Sequence, residues 1–92
     1  MGLKVNVNRN PRINETKADD IARYLIANEL DPLVLRLDHQ PLKYYLPVAR
    51  GQESEATGIA IQEIIPTHYA KRGVEVTARL QGKNYQLTFR RR

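Results

Sequence analysis

Ninety-two residues without a cysteine, at a formal net charge of +5, leave room for one domain whose single core must be held by apolar packing. Such a chain buries roughly 60 to 65% of the surface it exposes unfolded, and the lack of thiols excludes disulfides and thiolate zinc sites and suits a reducing compartment. No run approaches the roughly 20 apolar residues of a membrane span, the opening residues lack a signal peptide's apolar stretch, and Asn6 stands where a myristoylation motif wants Ser or Thr, so a cytoplasmic protein of one domain, residues 1–92, is expected.

Leu3, Val5 and Val7 alternate with Lys4, Asn6 and Asn8, the period of a strand with one buried face. Asn10-Pro11 then breaks the pattern, because proline fixes its own φ and pushes the preceding residue out of the helical region. A helix is predicted next. Thr16 is placed to cap it with Asp19 in a capping box, Asn14 is a competing cap, and Asp19 and Asp20 suit the positive end of the helix dipole. Ala18, Ile21, Ala22, Leu25 and Ile26 share one side at helical spacing, with Asp19 and Arg23 paired on the other. The helix is expected to stop near Leu30, since Pro32 disfavours helical geometry at Asp31.

Residues 33–38 read as a second strand with Leu33, Leu35 and Leu37 inward, turned by His39-Gln40-Pro41 into a third at 43–48, with which it would pair. Pro47 lacks a donor, which makes the third an edge strand. Residues 50–57 are polar and aperiodic, as in a loop. In 58–65, Ile59, Ile61 and Ile65 with an interior Gly58 favour strand, although Ser54, Glu55 and Ala56 could start a helix ending before Pro66. Residues 66–73 fit one helical turn, capped by Thr67 and stopped by Gly73 in the left-handed region.

The clearest local signal lies in residues 74–92. A two-residue loop at Gly82-Lys83, glycine first as a type II′ turn prefers, pairs Leu80 with Tyr85, Ala78 with Leu87 and Val76 with Phe89 on one face. On the other face it pairs Arg79 with Gln86, Thr77 with Thr88 and Glu75 with Arg90. Both faces support that register. The expected fold is α+β: one amphipathic helix on a mostly antiparallel sheet of five or six strands, in the order β-α-β-β-β-β-β, flat or partly closed into a small barrel.

No residue set spells out a reaction. His39 and His68 stand in turn or loop sequence, Asp19 and Asp20 point about 100° apart on a helix, and no glycine pattern of a phosphate loop occurs. A non-enzymatic protein without metal or cofactor is expected. The charge, by contrast, is concentrated: residues 67–92 hold seven Lys/Arg against Glu75, giving +6. Lys71, Arg72, Arg79, Lys83, Arg90, Arg91 and Arg92 therefore form the candidate nucleic-acid-binding set, with Arg9 and Arg12 nearby and Tyr44, Tyr45, Tyr69 or Tyr85 as stacking faces. Contacts of that kind give affinity without sequence choice. The alternative is a protein-interaction or self-associating module that uses the edge strand at 43–48.

Overall fold

Helices occupy much of what the pattern reads as strand. The computed structural model describes residues 11–49, 51 and 54–92, so the strand expected at residues 3–7 and Arg9 lie outside the described residues. The first helical rod joins α1 (Pro11–Leu25), a π-helical segment (Ile26–Leu30) and α2 (Asp31–Val34); the second joins α3 (Ser54–Ile59), a π segment (Ala60–Ile64) and α4 (Ile65–Ala70). The described residues also form three strands: β1 (Leu42–Pro47), β2 (Val74–Gln81) and β3 (Asn84–Arg91).

Both rods solve the same problem in the same way. A proline inside an α-helix removes one bond and drives its ring against the carbonyl four residues back. Here each proline, Pro32 and Pro66, lies one residue beyond a π segment, and the residue before it bonds one step further back: Asp31 N–H to the Ile26 carbonyl and Ile65 N–H to the Ala60 carbonyl. The widened turn draws the offending carbonyl away from the ring. The Asn28 side-chain amide also donates to the Tyr24 carbonyl at 2.9 Å, where the register changes. The first rod therefore runs through Pro32 instead of stopping near Leu30.

These rods overturn several expectations. The expected caps Asn14 and Thr16 lie inside α1, which is already helical at Pro11. Residues 33–38 are helix end and turn, so Leu35 is 85% exposed while Leu37 is buried. Residues 58–65 belong to the second rod, whose buried side, Ala56, Ala60, Ile61 and Ile65, meets neighbouring layers along helical spacing. Helical burial outweighs the strand preference of branched residues. Gly73, at φ +78°, ends the helical stretch as expected, but Thr67 lies within α4 and caps nothing.

Among the described residues the fold is α+β with a three-stranded open antiparallel sheet, not five or six strands and not a barrel. Its order is β1-β3-β2, so β1 and β2 run parallel with β3 between them, joined by the second rod in a split βαβ arrangement. β1 pairs with β3, not with residues 33–38. The hairpin register is the expected one at every pair from Glu75↔Arg90 to Leu80↔Tyr85, and Gly82 has φ +60° with no positive φ at Lys83, as a type II′ turn requires.

The inner sheet face and the rods close one core. Val74, Val76, Tyr85, Leu87, Phe89 and Leu46 are buried from the sheet, and Leu30, Ile61, Ile65 and Tyr69 from the helices. α1 packs against α3 through small residues: Ala18, Ala22, Ala56 and Ala60 are each at most 1% exposed, which lets the axes approach closely. Among the described residues, no helix is long and apolar enough to cross a membrane.

Candidate nucleic-acid interface

Among the described residues, the helices lie on one side of the sheet and none lies on the other. In β1, Leu42, Tyr44 and Leu46 point inward, so Lys43 and Tyr45 point out; in β2 and β3 the outward set is Glu75, Thr77, Arg79, Gln86, Thr88 and Arg90. These side chains form transverse rows. Tyr45, Gln86 and Arg79 lie side by side across the three strands, then Lys43, Thr88 and Thr77, then Arg90 opposite Glu75. Rows are about 7 Å apart and neighbours within a row about 4.8 Å.

Lys43, Thr77, Arg79 and Arg90 are exposed and Tyr45 is 53% exposed, whereas Gln86, in the middle of its row, is 8% exposed beneath its flanking side chains. Glu75, Thr77, Thr88 and Arg90 line a shallow pocket. The face thus presents three cations, one carboxylate and an aromatic ring on a rigid surface. None of the three cations is tied to a carboxylate among the described residues. Glu75 is the one acid among these outward residues, and it offsets part of the Arg90 charge.

The edge beside this face has a simple explanation for its proline. Val48 N–H donates to the Lys83 carbonyl at 2.9 Å, so the alternation of an antiparallel ladder turns the main-chain groups of Lys43, Tyr45 and Pro47 toward the open edge. Proline gives up no ladder bond there. Among the described strands β1 is thus an edge strand, as its composition indicates.

The seven candidate cations fall at several places. Arg79 and Arg90 lie on the outer face, and Lys83 is in the exposed turn at the hairpin tip. Lys71 and Arg72 sit in the turn leading into β2, at the opposite end of the hairpin, where the Arg92 N–H meets the Gly73 carbonyl at 3.0 Å. Arg91 belongs to the inward-pointing set. Its guanidinium donates to the carbonyls of Val34 at 3.2 Å and Leu37 at 3.3 Å, closing the C-terminal end of the first rod. The sheet instead adds Lys43, from a strand distant in sequence, to Arg79 and Arg90. Among the tyrosines, Tyr85 and Tyr69 are buried, Tyr44 is half-buried and Tyr45 alone of these four is broadly exposed. The side chain of Arg12 lies outside the described residues.

A second polar cluster stitches the layers together. The Tyr69 hydroxyl donates to Asp31 Oδ1 at 2.7 Å, and the Tyr44 hydroxyl to Glu29 Oε1 at 2.9 Å. Burial first, and then the bond to Asp31, push the Tyr69 hydroxyl far above the ordinary tyrosine range. For Tyr44 the bond to Glu29 comes first and burial second, in the same direction. Both phenols stay protonated donors.

His68 lies in α4, not in a loop, and its Nε2 is buried with no hydrogen-bond partner. Burial and the nearby Arg72 and Lys71 hold its pKa below the usual histidine value against the opposing pull of Asp31, so the ring is neutral at pH 7. Its neighbourhood is an apolar groove with Ala22, Ile26 and Ile64. Among the described residues, no group of three or more His, Asp or Glu could hold a metal ion.

Sequence reasoning missed Lys43 because strand order, not chain order, brings it beside the hairpin. It also missed Glu29, Asp31 and Arg91 as structural partners; their pairing spans 15, 38 and 54 or more positions. Comparison with protein-family models, curated proteins and solved structures finds no match.

Proposed function

We propose that this protein binds nucleic acid without sequence preference, across the outer face of its sheet. The observation that supports the reading most directly is the juxtaposition of Lys43, Arg79 and Arg90 on a face that no helix among the described residues covers. Guanidinium and ammonium groups held on strands meet phosphates at little ordering cost, and the overall charge of +5 favours encounter with a polyanion. Thr77 and Thr88 supply neutral donors and acceptors beside them. Lys83 extends the positive field at the hairpin tip, whereas Arg91 serves the fold. The role is one of binding, not catalysis, in the cytoplasmic setting that the cysteine-free composition suits.

Titration of a labelled oligonucleotide at two salt concentrations tests this. Three neutralised phosphates predict an affinity loss of roughly 20-fold for a single strand, or about 40-fold for a duplex, between about 50 and 200 mM salt. Changing Lys43, Arg79 and Arg90 together to Glu should abolish binding while leaving the thermal transition in place. Unchanged binding in that folded variant refutes the proposal.

A further inference from the structure

We infer that the polyanion this face takes is a single-stranded nucleic acid, with Tyr45 as the platform on which a base stacks; the inference rests on the binding role proposed above. Buried tyrosines are ordinary, and so are basic sheet faces. Tyr45 is not buried: it is 53% exposed, on the outward side of β1, at the end of the row it shares with Gln86 and Arg79 and two residues from Lys43. Its inward-pointing neighbours Tyr44 and Leu46 anchor the strand, Tyr44 through Glu29 and Leu46 through burial in the core, so the ring sits on a fixed support.

The geometry separates single strands from duplexes. In a duplex the faces of the bases are stacked on one another and only groove edges and phosphates reach a flat surface, which leaves a ring at the corner of the patch with nothing to stack on. An unpaired strand can lay a base on Tyr45 while its flanking phosphates meet Lys43 on one side and Arg79 on the other, about 7 and 10 Å from it along and across the strands. Thr88, next to Lys43 in its row, offers a hydrogen bond to a splayed base or sugar. The combination of π-face, cations and neutral polar groups within one small area is that of a stacking surface with an electrostatic border.

The test uses a short labelled oligouridylate, alone and annealed to its complement, with the full chain and its Tyr45→Ala, Tyr45→Leu and Tyr45→Phe variants. The single strand should bind more tightly than the duplex at the same salt. Tyr45→Ala should weaken single-strand binding by about 5- to 150-fold, the range of a stacked base, with duplex binding unaltered. Tyr45→Phe should retain the affinity. Tyr45→Leu, which keeps apolar bulk but no π-face, should behave as Tyr45→Ala and confirm that the loss is not one of folding. Equal affinity for both forms, with all three variants silent, would overturn the single-strand inference and leave general polyanion binding standing. Binding of neither form by the unaltered protein would overturn both.

Discussion

Tyr69→Phe isolates one hydrogen bond on which the arrangement of the two rods depends. Tyr69 is 1% exposed and lies edge-on to Phe89, with ring centroids 6.0 Å apart, so phenylalanine fills the same space and only the hydroxyl bond to Asp31 is lost. A hydrogen bond to a charged group is worth about 1.5–3 kcal/mol; because Asp31 is only half-buried, water recovers part of its solvation and the low end, about 1.5 kcal/mol, is expected. In a domain of this size that lowers Tm by roughly 6–12 °C. The pH dependence carries a second signature. Below pH 10 the phenol is protonated in both the folded and unfolded chain, so the bond contributes in full. As pH rises past the ordinary value of 10.0, the unfolded chain ionises while the folded hydroxyl, whose pKa is raised, does not, and the parent protein loses stability. Urea and thermal unfolding of both proteins at pH 7 and above pH 10 should show a gap that narrows with alkalinity. A difference under about 0.5 kcal/mol at pH 7, or a gap that does not change with pH, refutes the reasoning.

Arg91→Ala should lower stability by about 1 kcal/mol, because the Leu37 carbonyl loses its donor and the Val34 carbonyl keeps only the Leu37 N–H, yet change oligonucleotide affinity little; a binding loss as large as that of Arg79→Ala would place Arg91 on the interface instead. Glu75→Gln removes the carboxylate from the outer face, so affinity for an oligonucleotide should rise by about two- to fivefold at low salt and converge with the parent at high salt. A drop in affinity would show that Glu75 itself takes part in binding.

The contrast between the hairpin and the middle of the chain explains what was legible. The two strands at residues 74–91 pair with each other across a two-residue turn, so alternation, a glycine with positive φ at the turn and one cross-strand acid–base pair specify their register locally. The same reading placed Ala18, Ala22 and Leu25 on the buried side of α1. It failed at Pro32 and Pro66, because a proline ends a helix only if the turn before it stays α-helical; a π segment removes that condition, and nothing in a residue list announces one. It failed again at residues 58–65, where the isoleucines are buried between a helix and a strand whose positions depend on the whole fold. Gly58, taken as a sign of strand, is helical and lies 3.4 Å from the Tyr85 hydroxyl where a Cβ would stand.

The candidate site divides in the same way. Residue order alone determined that charge is concentrated near the C-terminus and that Arg79 and Arg90 share a face, since both follow from one local ladder. Tertiary structure decided the rest: pairing of β1 with β3 brought Lys43 and the exposed Tyr45 into line with them, and the docking of the first rod turned Arg91 to its own carbonyls. Strand alternation is a property of neighbouring residues, whereas strand order and helix docking are set by which apolar surfaces bury one another, and that depends on segments far apart in the chain.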